Sequence, residues 1–153
     1  MTPVASIDMT QHVGLLLATA LWLGAASFSA HAHHAYQLFF DMCTSVTIEG
    51  RVGAVQWADP HVWIDLETDD GTKYAAEWTG PQNLTRTGVT ADVLKVGDRV
   101  VVIGSPPLKP EMRRNETQKV VSALTEIRRA SDGWRWARAT PAPGTPLPAC
   151  ARK

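Results

Sequence analysis

The chain has 153 residues, with 15 basic and 15 acidic side chains and therefore a formal charge of zero. This length suffices for one domain with its own hydrophobic core. The charge balance argues against a nucleic-acid partner, which would require a basic face, and gives no sign of membrane-surface binding.

The amino-terminal segment has the pattern of an export signal. An apolar run over residues 13–26 is followed by Ala30-His31-Ala32, a small-residue cleavage motif. About 14 apolar residues are too few to span a ~30 Å hydrocarbon core as a helix. We therefore predict a cleavable signal peptide over residues 1–32, a periplasmic protein and no membrane anchor after cleavage. The run lacks a preceding Lys or Arg, so a retained amino-terminal anchor or a buried helix stays an alternative.

Three strands are predicted in the first half of the remaining chain. Residues 45–57 place apolar side chains at every second position, as does the segment 61–67. The turn sequence Asp69-Asp70-Gly71 then leads into a third strand over residues 73–78.

The second half predicts two short helical stretches, residues 82–86 and 91–94, and two further strands, residues 99–103 and 119–127. This order predicts a mostly β domain over residues 33–136: a five-stranded OB-like Greek-key barrel with a short helical connection between strands 3 and 4. A small open β-sandwich or another SH3-like barrel is the alternative. The proline-rich segment 137–153 is predicted to be a disordered tail.

Two cysteines remain after the leader, Cys43 near the start and Cys150 near the end. An oxidising compartment permits them to form a disulfide. Two unpaired thiols, or an intermolecular bridge, are the alternatives that the spacing leaves open.

Several runs in the chain resemble a family of small exported bacterial proteins, known as domain of unknown function 6152. The most specific are the paired histidines at the predicted mature start and the run Asp59-Pro60-His61-Val62-Trp63. The others are Phe40-Asp41, Val46-Thr47-Ile48-Glu49-Gly50, Glu77-Trp78, Gly80-Pro81-Gln82-Asn83-Leu84, Arg86, Gly88 and Leu94-Lys95-Val96-Gly97-Asp98-Arg99-Val100. The resemblance covers roughly residues 30–128 and implies a periplasmic β-barrel without assigned chemistry.

Cleavage after residue 32 would make His33 the terminal residue, followed by His34. A terminal amino group and imidazole nitrogens are ligands that Cu(II) accepts. His61 is a third imidazole candidate if the terminus folds back over the barrel, and Asp59 or Glu77 would complete the ligand set. The alternative is that these histidines are ordinary loop or terminal residues that bind no metal.

Aromatic residues supply a different hypothesis. The predicted strands have three tryptophans at or near their ends, Trp57, Trp63 and Trp78. If these side chains are exposed on one face, that face would bind a small ligand by ring stacking or would contact an envelope protein partner. The alternative is that these side chains fill the core. Because no nucleophile–base motif occurs, we expect a binding or accessory protein rather than an enzyme.

Overall fold

The computed structural model describes residues 36–139. These residues lie within one compact unit. The predicted signal peptide lies outside the described residues, as do His33 and His34. Within residues 36–139, no helix is long and apolar enough to cross a membrane.

The described part is built mainly from strands. Its elements in chain order are a 3₁₀ turn Tyr36–Leu38, strand β1 Val46–Gln56, strand β2 Trp63–Glu67, strand β3 Lys73–Glu77, helix α1 Pro81–Arg86, strand β4 Arg99–Ser105, strand β5 Gln118–Arg129 and strand β6 Arg135–Ala137. Helix α1 begins with Pro81 in its first turn, where the missing N–H costs no intrahelical bond.

Strands β1 to β5 close into a barrel. The strand order is β3-β2-β1-β4-β5-β6, and the barrel closes where β3 pairs with β5 in parallel. The pairings β1–β2, β2–β3, β1–β4 and β4–β5 are antiparallel. This is the pairing of a five-stranded Greek-key barrel with a helix between its third and fourth strands, and the predicted fold class is confirmed.

Two details differ from the expected elements. The segment 91–94 forms turns rather than a helix, because four residues are too few to offset the cost of helix nucleation without strong caps. A sixth strand, β6, pairs with the end of β5 and brings Trp136 opposite Ile127. Strand β6 ends at Ala137, one residue beyond the predicted domain boundary.

The core fills the interior of the barrel with alternate residues of its strands. Ile64 and Leu66 of β2 are almost fully buried, and their neighbours in β2 are more exposed. Trp78 and Leu84 join the same cluster from the end of β3 and from α1. Gly50 allows β1 and β2 to approach closely, since an added Cβ would lie 2.7 Å from the carbonyl oxygen of Glu67.

A second buried group lies outside this core cluster. It consists of Phe40, Ala75, Val120 and Ala123, and the buried serine Ser122 lies beside it in sequence. Ala75 and Val120 are partners in the parallel pairing that closes the barrel, and each precedes a core residue in its strand. Since successive strand residues point to opposite faces, Ala75 and Val120 lie on the outer face of the barrel.

The segment before β1 is tied to that region by its backbone. Phe40 forms a β-bridge with Pro107, and the N–H of Asp41 donates to the carbonyl of Pro106 at 2.9 Å. The segment 36–41 is therefore fixed against the connection between β4 and β5, and Tyr36 is brought to the site described next.

Candidate functional site

The candidate site begins with His61, in the connection between β1 and β2. The Asp59–Pro60 peptide bond before it is cis. Val62, which follows it, donates its N–H to the carbonyl of Thr79 at 3.3 Å and accepts a bond from the N–H of Trp78 at 2.8 Å. These bonds fix the connection against the end of β3.

Glu77, at the end of β3, links His61 to the neighbouring strand β5. Its Oε1 lies 2.5 Å from Nδ1 of His61, and its Oε2 accepts a 2.6 Å hydrogen bond from the hydroxyl of Ser122. The His61 and Glu77 side chains are each 13% exposed, and Ser122 is fully buried. An ionised carboxylate can only accept, so with Glu77 ionised the hydrogen of this bond is on Nδ1 and the Nε2 nitrogen points the other way.

Tyr36 lies on that other side of the imidazole. Its hydroxyl oxygen is 3.4 Å from Nε2 of His61, and the ring centroids are 6.1 Å apart. Burial raises the pKa of the Tyr36 phenol and the Glu77 charge raises it further, while Arg138 acts in the opposite direction. The phenol therefore stays protonated at neutral pH and can donate a hydrogen bond.

A β-bulge in β5 contributes to this arrangement. The register with β4 shifts from Ile103 opposite Glu126 to Ser105 opposite Ser122, which leaves two extra residues on β5. Ala123 in this segment has a φ of 50°, an uncommon value for a residue other than glycine. Bulges of this kind re-aim side chains, and here the bulge adjoins the serine that meets Glu77.

A cavity of about 430 Å³ adjoins the same residues. Its wall combines polar groups with two indole rings and is lined by Tyr36, Glu77, Trp78, Thr79, Asn83, Leu84, Thr87, Ala123, Trp136, Ala137, Arg138 and Ala139. The rings of Trp78 and Trp136 meet edge to face with centroids 5.0 Å apart. Pockets of 300–1,000 Å³ are the usual size for small-molecule sites.

Of the predicted metal ligands, the structure brings His61 and Glu77 together, while Asp59 is exposed in the loop before them. His33 and His34 lie outside the described residues. Residues 36–139 contain no group of three side chains arranged to hold a metal ion. Both oxygens of Glu77 are hydrogen-bonded, one to His61 and one to Ser122, and its metal-binding role stays a prediction.

The three tryptophans of the predicted aromatic face lie in different surroundings in the structure. Trp78 is 1% exposed and belongs to the core, so it does not contribute to an exposed face. Trp57 is half-buried against the core. Trp63 is half-buried and carries the guanidinium of Arg114 at 4.2 Å from its ring centroid. The indole rings that border a cavity are instead those of Trp78 and Trp136.

Cys43 is disulfide-bonded. Cys150 lies outside the described residues, so the pairing of Cys43 with Cys150 stays a prediction.

The serine of this site is not hydrogen-bonded in the way that a catalytic serine is bonded to its base. The hydroxyl of Ser122 is fully buried and donates to a carboxylate rather than to an imidazole, whereas an activated serine donates to its base and is open to substrate. Glu77 is thus placed to orient the ring of His61.

Sequence reasoning missed Tyr36, Ser122, Trp136 and Arg138 as site residues. Only a barrel pairing could have placed Ser122 opposite Glu77, since 45 positions separate them in the chain. Trp136 was visible as an aromatic residue beyond the last predicted strand, but its role depends on the unforeseen β6. Arg138 falls in the predicted tail, where no pattern distinguishes it.

The chain was also compared with known proteins. A model of the family of unknown function DUF6152 matches residues 21–114, more than half of the chain. The chain belongs to the DUF6152 family. The match includes β1 to β4 and the loop that carries His61, while β5 and β6 lie beyond it. No curated protein matches the chain.

Proposed function

We propose that this DUF6152 protein is an exported, periplasmic binding protein that takes up a copper-type metal ion at His61, together with the mature amino terminus and its two histidines. The observation that carries this proposal is the pair formed by Nδ1 of His61 and Glu77, 2.5 Å apart. Metal-binding histidines usually donate their other ring N–H to a carboxylate, which fixes the tautomer and the orientation of the ring. Ser122 in turn fixes the carboxylate.

The covalent chain supports the choice of the remaining ligands. Tyr36 reaches His61 through its hydroxyl, and His34 precedes Tyr36 by only two positions. Two residues span at most about 7 Å of extended chain. After cleavage at residue 32, the terminal amino group and the imidazoles of residues 33 and 34 would all lie within a few residues of a side chain that contacts His61.

A nitrogen-rich ligand set of this kind favours Cu(II), which stands near the top of the affinity order for divalent metals. The amino group must lose its proton to bind, so copper affinity is expected to fall as the pH is lowered through about 8. The proposed role is binding or delivery of the metal rather than catalysis.

The experiment uses the exported mature protein, purified without added metal. Intact mass is expected to place the terminus at His33, and a Cu(II) titration followed by electron paramagnetic resonance is expected to give one nitrogen-coordinated ion per chain. The His61→Ala variant should lose this species, and Glu77→Gln should weaken it roughly 10- to 100-fold, as loss of a carboxylate behind a metal-bound histidine does. Asp59→Asn is the matched loop control and should change little. Copper binding that survives His61→Ala unchanged would exclude the proposed site.

A further inference from the structure

Three large apolar residues adjoin one another on the surface, outside the core. Leu38, Phe39 and Leu108 are each more than half exposed, and the N–H of Leu108 donates to the carbonyl of Phe39 at 2.8 Å. The next residue, Phe40, is buried and forms the β-bridge with Pro107. The three exposed residues, which we call the apolar patch, therefore lie on a fixed backbone. Apolar groups that adjoin in this way are typical of a surface that another segment or protein covers.

The carboxy-terminal segment, residues 140–150, leaves the barrel beside one end of this patch. Arg138 and Ala139, the last described residues, line the same cavity as Tyr36. The N–H of Arg138 also donates to the carbonyl of Thr125 at 2.9 Å, which fixes the start of the segment against β5. Tyr36 begins the 3₁₀ turn that leads into the patch, so the carboxy-terminal segment starts where the patch starts.

A disulfide lies at the other end of the patch. Cys43 is disulfide-bonded, and Cys150 is the only other cysteine of the sequence. A bridge within the chain can therefore join Cys43 only to Cys150. With this bridge, the two ends of the carboxy-terminal segment meet the two ends of the segment 36–43, and the exposed Leu38 and Phe39 lie between them.

The two segments have lengths that suit this arrangement. Seven positions separate Tyr36 from Cys43, a span of at most about 25 Å, and eleven separate Ala139 from Cys150, a span of at most about 40 Å. The carboxy-terminal segment is therefore long enough to follow the patch from one end to the other. Because both of its ends are tied, docking the residues between them costs less conformational entropy than docking a free tail would.

The composition of the carboxy-terminal segment also suits an apolar surface. Residues 140–149 contain four prolines and no charged side chain, and Leu147 is their one large apolar residue. Proline-rich segments favour the polyproline II helix, which needs no internal hydrogen bonds and docks against aromatic and apolar side chains. Composition alone predicts a disordered tail here, but a bridge at its end supplies a constraint that composition does not reveal.

We propose that the carboxy-terminal segment is the occupant of the apolar patch. Leu147 and the prolines beside it pack on Phe39 and Leu108, and the bridge between Cys43 and Cys150 holds them there. The docked segment removes the patch from water and fastens the 3₁₀ turn before it to the barrel. This proposal does not depend on the metal site, because none of the patch residues is a proposed ligand.

The test uses the metal-free mature protein in its oxidised state. The methyl resonances of Leu147 are assigned by their loss in Leu147→Ala, and we expect nuclear Overhauser contacts between these methyl groups and the ring of Phe39. The contacts should weaken in the double variant Cys43→Ser/Cys150→Ser. Val96 is the matched control, because it is also more than half exposed but lies in the turn before β4, and it should show no contact with Leu147.

Thermal unfolding supplies a second measurement. Phe39→Ser should lower the Tm of the oxidised protein by several degrees, since it removes an apolar side chain that the carboxy-terminal segment covers, whereas Val96→Ser should change the Tm little. Absence of contacts between Leu147 and Phe39, or equal effects of Phe39→Ser and Val96→Ser, would overturn the docking. Contacts that persist unchanged in the double cysteine variant would overturn the role of the bridge, and a disulfide-linked dimer in the intact mass would overturn the bridge itself.

Discussion

The hydrogen bond between Ser122 and Glu77 should make a measurable contribution to stability. Ser122→Ala removes a hydroxyl that is fully buried and donates to a carboxylate oxygen at 2.6 Å. Bonds to charged groups contribute about 1.5–3 kcal/mol, and the loss of one partner leaves the other unsatisfied. Because the Glu77 side chain is 13% exposed, water replaces part of the bond, and we expect a loss of about 2 kcal/mol in the free energy of unfolding.

The chain offers a matched control. Ser105 lies opposite Ser122 in the β4–β5 register and is 6% exposed. Its hydroxyl forms no hydrogen bond with any side chain or backbone group among residues 36–139. Ser105→Ala therefore makes the same chemical change without loss of a bond, and we expect it to cost less than about 0.5 kcal/mol, as substitutions away from specific interactions do.

Urea unfolding followed by tryptophan fluorescence measures both free energies, and a cycle with Glu77→Gln isolates the pair. In a domain of this size, 2 kcal/mol corresponds to a fall in Tm of roughly 8 °C or more. If Ser122→Ala and Ser105→Ala cost the same within about 0.5 kcal/mol, the bond does not hold Glu77 in place and the argument for an oriented His61 loses its support.

Three further predictions concern stability. Gly50→Ala is expected to lower the free energy of unfolding by about 2 kcal/mol, because the new methyl group would lie 2.7 Å from a backbone carbonyl of β2. Gly53→Ala, where the nearest atom is 3.7 Å away, should lower it clearly less. Equal urea midpoints for the two variants would contradict the close approach of β1 and β2. Leu84→Ala should lower the free energy of unfolding by about 2–5 kcal/mol, because Leu84 is a fully buried leucine of α1. Thr85→Ala, at an exposed position of the same helix, should change this free energy little, and thermal unfolding compares the two variants. Hydrogen bonds from Arg129 hold the pKa of the Asp132 carboxyl at about 2, which is below its value in the unfolded chain. The ionised carboxylate therefore stabilises the fold fully above about pH 4, and this stabilisation is lost as the pH falls through 2. Asp132→Asn should therefore lower the urea midpoint more at neutral pH than at pH 2, where about half of the carboxyl is protonated. A difference of the same size at both pH values would show that the charge is not its source.

Local patterns in the sequence determined the strands of this protein. Period-two alternation in residues 45–57 and 61–67 marked β1 and β2, since one face of each strand must be buried. The turn at Asp69-Asp70-Gly71 marked the hairpin into β3, and Gly80-Pro81 marked the start of the helical connection. The order of these elements then favoured a five-stranded barrel, while closure of the barrel, against a small open β-sandwich or another SH3-like barrel, was decided only by the pairing of β3 with β5.

The sequence also selected His61 and Glu77, but as two metal ligands. Only the structure assigns them different positions, with the carboxylate bonded to Nδ1 of the imidazole and to Ser122. The aromatic residues show the same limit: Trp57, Trp63 and Trp78 have similar surroundings in the sequence, yet Trp78 is buried in the core while Trp63 lies beneath Arg114.

Tertiary structure alone decided how the site is assembled. The parallel pairing of β3 with β5 brings Glu77 beside Ser122, and the pairing of β5 with β6 brings Trp136 against Trp78. These contacts join residues about 45 and 58 positions apart, and no local pattern encodes them. Alternation specifies which face of a strand is buried, but the register between distant strands depends on the bulge in β5 and on the packing of the whole barrel, which only the folded chain fixes.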